Sequence, residues 1–371
     1  MKTKTLVVML LLWPSLCGKL VAKDIVLPSS DGDVTARWNA ETTDWSKNPH
    51  PVLGDWGFNR PGYPAGLYIH GITVKNGKKV KNPVIYDNDV YDDVFDDEWM
   101  YCMASQGKLN LAALICTPVL TDGWDFSHPD WIPTALDSRS MALASGIPEK
   151  VLPPITVGTE ADSEKAGERK DSEGTRLYVR LINENYRKHP DRPLIVNIGG
   201  QSATLASAYC LDPSIAEKCI VYYTDVRVYN GHYEWASKLV AKHFRIISFG
   251  DDFWWKCKAS YEEWNVLPRP NEWHLLTDMH KPMLDHIVHQ FKNRGEYSKE
   301  GVHGDGYCDG AFMHAWIPQM FPEARLMEVR GEETEAIHIT RFTPVEEAAV
   351  KKQALETLLN PKSYKKVNSA K

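Results

Sequence analysis

The sequence predicts an α/β protein with an open, mainly parallel sheet flanked by helices, and three observations carry that expectation. First, several short runs are apolar almost throughout: "PLIVNI" at 193–198, "CIVYY" at 219–223 and "FRIISF" at 244–249. A strand covered on one face alternates apolar and polar residues, whereas a strand buried on both faces does not. Second, helical patterns separate these runs, and strands alternating with helices build parallel sheets. Third, an acidic cluster at 87–98, Gly199-Gly200 and Asn230 all fall just after predicted strands. Such sheets bind their ligands beyond the carboxyl ends of the strands.

The elements follow in chain order. The N-terminal "MKTKTLVVMLLLWPSLCGKLVAKD" joins lysines, an apolar stretch from Leu6 to Trp13 and small residues. This is the pattern of a secretory signal, residues 1–22, with cleavage after Ala22. Pro14 and Lys19 interrupt it, whereas a membrane anchor needs about 18 continuous apolar residues. No later segment is long and apolar enough to span a membrane, so the expected location is secreted or periplasmic. Residues 23–82 are rich in Gly, Pro, Trp and Asn and read as an irregular, partly β extension, with an Asn-Gly hairpin signal in "TVKNGKKVKN". The α/β domain, 83–323, opens with a strand at 83–87, a helix at about 97–106 and a strand at 109–116, "LNLAALIC". It continues with strand 193–198, helix 201–209, strand 219–223, helix 233–242 and strand 244–249. Residues 276–294 also carry a helical pattern. The remainder, 324–371, adds a short strand in "EAIHITRF" and a helix at about 344–358, packed on the same domain.

Composition bounds the function. Among 371 residues, 43% are apolar and 25% charged, an ordinary globular balance. The formal net charge of -6, with no basic stripe, argues against nucleic acid as a partner. Small neutral or cationic ligands fit better, and a homo-oligomer is compatible with the sequence. Six cysteines follow the signal: Cys102, Cys116, Cys210, Cys219, Cys257 and Cys308. An even number in an exported chain permits disulfides, and Cys210 with Cys219, close in sequence, is the suggested pair. No paired Cys-x-x-Cys or His-x-x-x-His spacing points to zinc.

The chemistry concentrates in "NPVIYDNDVYDDVFDDEWMYCMAS", residues 82–105. Asp87, Asp89, Asp92, Asp93, Asp96, Asp97 and Glu98 stand within twelve positions. Their mutual repulsion would push some of their pKa values upward. A solvated acidic loop would escape that problem, but Val84-Ile85-Tyr86 before the cluster and Trp99 to Ala104 after it are too apolar to stay in water. The acids therefore sit at a strand-to-helix junction, where a helix N-terminus stabilises each nearby acid by roughly 0.3–1 kcal/mol. That offsets one or two charges, not seven. Calcium, which collects carboxylate oxygens at about 2.3–2.6 Å in irregular geometry, is the expected cofactor. An EF-hand is excluded: Asp87, Asp89 and Glu98 match its first, third and twelfth places, but Asp92 stands where glycine is required and a strand precedes the loop.

Residues 83–104 resemble the N-terminal signature of the nucleoside hydrolase family, an Asp-x-Asp-x-Gly strand end followed by Asp-Asp at a helix start. Asp87-Asn88-Asp89 and Asp96-Asp97 look like its two halves, with Tyr91 in place of the glycine and Phe95 as a one-residue insertion. Tyr91-Asp92-Asp93 is similar to the Gly-Asn-Asp of some relatives, which leaves Asp92-Asp93 as an alternative register for the second pair. "PLIVNIGGQSATLASA" resembles the strand and Gly-Gly turn where the family takes a backbone carbonyl, here that of Ile198, as a metal ligand. "YNGHYEWASKLV" looks like the family's sugar-binding segment with Asn230 in place, although Glu234 and Trp235 replace its Asp-Pro. "YCDGAFMHAWIPQMF" is similar to the late segment, making Asp309 the last ligand, with Cys308 where many members carry histidine.

The resemblance spans about 83–321 and implies a nucleoside hydrolase-like fold and a secreted, calcium-dependent hydrolase of N-glycosidic bonds in nucleosides or related ribosides. On it, Asp89 is the catalytic base and a metal ligand, Asp97, the Ile198 carbonyl and Asp309 complete the protein's ligands, and Asp96 and Asn230 hold sugar hydroxyls. The missing imidazole leaves His303 or His314 as the acid, or none. Plainer readings stand beside these: Gly199-Gly200 as a tight turn, Asn230 and Asp309 as helix caps, Trp254, Trp255 and Trp273 as packing residues. The alternative function is a non-catalytic carbohydrate-binding protein on the same scaffold, and a structural calcium protein is a third reading.

Overall fold

The computed structural model describes residues 72–75, 78–88, 95–117, 131–159, 171–190, 193–223, 234–244, 246–248, 281–287, 326–329, 339–342 and 347–364. The signal segment, Asp89, Asn230 and Asp309 lie outside the described residues. A hairpin comes first, β1 (Ile72–Lys75) against β2 (Lys78–Lys81), with Lys75 opposite Lys78. Only Asn76 and Gly77 separate these two strands, the spacing of a two-residue turn.

Among the described residues, eight strands form the main sheet, in the order β5-β4-β3-β6-β7-β8-β10-β9. They are β3 (Pro83–Asn88), β4 (Asn110–Cys116), β5 (Ile155–Val157), β6 (Leu194–Ile198), β7 (Cys219–Tyr223), β8 (Ile246–Ser248), β9 (Leu326–Val329) and β10 (Ile339–Phe342). All pairings are parallel except β9 with β10. The fold is therefore the α/β architecture with an open, mainly parallel sheet flanked by helices. Every residue of β6 and β7 is buried, as runs without alternation require. A strand precedes the acidic cluster, not the helix an EF-hand needs.

Among the described residues, the helices flanking the sheet include α1 (Asp96–Ser105), α2 (Trp131–Ala144), α3 (Glu173–Lys188), α4 (Ala203–Leu211), α5 (Glu234–His243) and α6 (Glu347–Leu358). Ile85, Ile115, Val196, Ile198, Val221 and Tyr223 pack with Tyr178 and Ile182 of α3, Leu205 and Ala206 of α4 and Val240 of α5 in one core cluster. The helix α1 packs against α2 and α6. No helix among the described residues is long and apolar enough to cross a membrane.

Several boundaries differ from expectation for local reasons. Helix α4 starts at Ala203 instead of 201 because the Gln201 side chain turns back and its Oε1 accepts the Ala203 N–H. Helix α3, strand β5 and helix α2 fall between 117 and 192, outside the elements expected from the sequence. The buried stripe of α3 is Thr175, Tyr178, Ile182 and Asn185, correctly spaced for a helix but largely polar. Its N-cap is conventional: Ser172 Oγ accepts from Thr175 N at 3.1 Å. The suggested Cys210–Cys219 pairing is corrected, since neither residue forms a disulfide. The Cys219 thiol instead donates to the Ile215 carbonyl at 3.4 Å, back into the turn that precedes β7.

Candidate functional site

Chain order puts a crevice at one place in this sheet. From β3 the chain proceeds outward through β4 and β5, and then returns to the other side of β3 to lay down β6, β7 and β8. The connections leaving β3 and β6 diverge, and such a switch point is where open α/β sheets bind ligands, beyond the strand carboxyl ends. Asp87 of β3 lies in register with Ile198 of β6 there. The strand ends are knitted together by backbone bonds: Gly199 N–H donates to Asp87 O at 2.8 Å, Thr117 N–H to Asn88 O at 2.9 Å and Gly158 N–H to Cys116 O at 2.7 Å.

Asp87 turns into the face covered by α3 and α4. It is fully buried, and it accepts hydrogen bonds from Thr117 Oγ1 and, at 2.7 Å, from the Tyr178 hydroxyl. Because Thr117 uses its one proton on Asp87, Thr204 must donate across the 2.6 Å contact between the two hydroxyls. Thr204 in turn accepts from the Thr159 backbone N–H at 2.8 Å. A directional row of donors thus runs from a main-chain amide through two threonines to the carboxylate. Burial pushes the Asp87 carboxyl up to about 7, against the opposing pull of the Thr117 and Tyr178 hydrogen bonds. Burial and then the adjacent Asp87 hold the Tyr178 hydroxyl well above its usual range, which keeps it a donor. Gly158 lets the row close: a Cβ there would overlap the Thr117 hydroxyl and stand 2.6 Å from Thr204 Oγ1.

Strand alternation turns Tyr86 and Asn88 to the opposite face, toward α1. The Tyr86 hydroxyl donates to Asp96 Oδ2 at 3.0 Å. Helix α1 opens without a side-chain cap at Phe95, and Asp96, Asp97 and Glu98 fill its first turn. All three are 1–2% exposed. Glu98 accepts from Ser138 Oγ, which ties the helix start to α2. One turn on, burial and then the charges of Asp97 and Glu98 drive the Tyr101 hydroxyl well above its usual range. Three carboxyl groups thus lie buried side by side in the first turn of α1, where helix-terminal N–H groups favour acidic side chains.

Of the expected site residues, Asp96, Asp97 and Ile198 belong to the described residues. Tyr86 links two of the segments involved, since its hydroxyl bonds Asp96 and also stands 3.1 Å from where a Cβ on Gly199 would be. Asp89, Asn230 and Asp309 lie outside, as do Tyr91, Asp92, Asp93, His303, Cys308 and His314. Among the described residues, no three His, Cys, Asp or Glu side chains are grouped to hold a metal ion. Sequence reasoning missed Tyr86, Thr117, Tyr178 and Thr204 as parts of this region. The available signal was period two in β3, which sends Tyr86 and Asp87 to opposite helical layers.

No protein-family model and no curated protein matches the chain. Solved structures similar to it include a plant nucleoside hydrolase, 12% identical, covering 76% of this chain and 99% of that one with a TM-score of 0.48. Another is a purine-preferring ribonucleoside hydrolase from Gardnerella vaginalis, 13% identical, with coverage of 76% and 99% and a TM-score of 0.46. A third is a nucleoside hydrolase-related protein from Saccharophagus degradans, 15% identical, with coverage of 77% and 72% and a TM-score of 0.45.

Proposed function

We propose that the chain is a secreted, calcium-dependent hydrolase of N-glycosidic bonds in nucleosides or related ribosides. The observation that carries this reading is the burial of Asp96 and Asp97 at the start of α1, with Asp96 tied to β3 through the Tyr86 hydroxyl. Buried carboxylates are costly unless a positive charge or strong donors meet them. The donors on hand, carboxylate oxygens and a main-chain carbonyl, are hard oxygen ligands of the kind calcium takes. Asp89, Asp97, the Ile198 carbonyl and Asp309 would hold the ion. When bound, calcium lowers the pKa of a water and neutralises the crowded acids.

The remaining chemistry falls to the chain. Cleavage at a ribosyl carbon passes through an oxocarbenium-like state, so a water must be deprotonated on one face as the base departs on the other. Asp89 takes that proton, acting as general base. Asp96 and Asn230 orient the sugar through its hydroxyls. Thr117, Tyr178 and Thr204 act earlier in the chain of causes, by fixing Asp87 and with it the end of the strand that leads into Asp89.

The test is direct. Purified chain incubated with inosine and uridine is expected to release free base and ribose, and both a chelator and Asp89→Asn should abolish release. Two substitutions favour one other reading: Cys308 stands in place of an imidazole and Tyr91 in place of a glycine. They suit a carbohydrate-binding protein on the same scaffold. Sugar binding that survives Asp89→Asn, with no turnover by the wild type, would replace the hydrolase reading with that one.

A further inference from the structure

We infer that Tyr86 is a positioning residue for riboside recognition: its hydroxyl fixes the Asp96 carboxylate in the orientation that receives the sugar. This rests on the riboside reading above and assigns a role that the family-like motif, which begins at Asp87, does not contain. Tyr86 sits in the interior of β3, fully buried. A buried hydroxyl is unfavourable unless it is hydrogen-bonded, and phenylalanine would fill the same ring volume without one. The hydroxyl makes a 3.0 Å bond to Asp96 Oδ2 that phenylalanine could not.

That bond changes what holds the carboxylate. Asp96 is the first residue of α1, and Phe95 before it contributes no side-chain cap. A helix end of this kind is the part most open to fraying. Tyr86 anchors Asp96 to the central sheet instead. The other side of the phenol is closed by β6: a Cβ on Gly199 would stand 3.1 Å from the Tyr86 hydroxyl and 2.6 Å from Asn88 Oδ1. Glycine at 199 leaves the hydroxyl its place, and the turn after β6 confines it there. A hydrogen bond from a buried hydroxyl to a carboxyl oxygen is directional, and it selects one orientation of the Asp96 side chain. A carboxylate so restrained loses less freedom when a sugar hydroxyl binds it, which is the usual gain from preorganisation.

The experiment uses the full chain as wild type, Tyr86→Phe, Asp96→Asn and the double variant, with inosine, 2′-deoxyinosine and 3′-deoxyinosine as probes. Tyr86→Phe should raise KM for inosine about tenfold, the scale of a lost hydrogen bond to a charged group, with a smaller change in kcat. The penalty should shrink on the deoxy analogue lacking the hydroxyl that Asp96 holds, and should vanish in the Asp96→Asn background. Because coupling to Asp96 is a difference between backgrounds, any loss of stability common to both cancels. An unchanged KM in Tyr86→Phe overturns the inference. So does an equal penalty on all three probes and in both backgrounds, the mark of a hydroxyl that serves only packing. Should the wild type neither bind nor cleave any of the probes, the riboside reading falls and takes this inference with it, a result distinct from an unaffected Tyr86→Phe.

Discussion

At residue scale, the region around Asp87 depends on an atom that is missing. Gly158 follows β5 directly, and its lack of a side chain is what lets the Thr117 and Thr204 hydroxyls meet at 2.6 Å beside the buried carboxylate. An alanine Cβ at 158 would stand 2.6 Å from Thr204 Oγ1 and 2.9 Å from Thr117 Cα, and the latter is backbone that cannot rotate away. At Gly199 the nearest obstacle is the Asn88 side chain, which can. Gly158→Ala should therefore destabilise by about 1–3 kcal/mol and by more than Gly199→Ala, as read from urea unfolding midpoints. Equal and negligible losses would mean that the threonine row relaxes freely. Neither glycine's close contacts were legible beforehand, because the partners lie far away in sequence: Thr117 and Thr204 for Gly158, Tyr86 and Asn88 for Gly199. Asp87 itself was visible as one acid among seven. Its separation from the others, onto the α3 face, follows from strand period two, but the residues that receive it there do not.

At element scale, α1 is held at both ends. Its first turn carries the acids, and its last turn is gripped by the C-terminal segment. Ser105 Oγ donates to the Ser363 carbonyl at 2.5 Å, while Gln106 Nε2 donates to Ser363 Oγ at 2.7 Å and to the Thr357 carbonyl at 3.1 Å. Leu355, Leu358, Leu359 and Tyr364 are buried beneath these contacts, and the Tyr364 hydroxyl donates to Leu358 O at 2.9 Å while lying 3.5 Å from Cys102 Sγ. Deleting 347–371 removes these side chains, whose burial is worth about 1.5–3 kcal/mol each, and uncovers the face of α1 that they pack against. Such a truncation should lower the melting temperature and leave α1 more accessible to hydrogen exchange than α4; uniform protection in both helices would contradict the grip. The helix at the C-terminus was foreseen from its pattern, as were α1, α4 and α5. Helix α3 was not, although Leu177, Tyr178, Leu181 and Ile182 recur at helical spacing on the face that packs on the core. Of its polar residues, Tyr178 reaches the Asp87 carboxylate, at 2.7 Å.

For the whole molecule, the sheet order was inferable only as a class. Apolar runs such as "CIVYY" announce central strands, and β7 occupies that very span, but nothing in a run says which strand it will lie beside. The placement of β6 beside β3, which creates the crevice, is a tertiary result. If calcium binds there, it favours the folded chain by mass action, by about 2.7 kcal/mol at a hundred times its dissociation constant. Adding calcium to chelator-treated protein should therefore raise the melting temperature by several degrees, and Asp97→Asn should remove most of that shift; a transition indifferent to calcium would remove the ion from the account. The pairing of β3 with β6 has a last implication, for biosynthesis. Asp87 is made early and Ile198 much later, and contacts between remote stretches of chain form slowly because a long loop must close first. A ribosome-bound nascent chain that ends before β6 has all three acids of α1 but no β3–β6 pairing, so the ligand affinity proposed above should switch on only once the second half of the sheet has emerged.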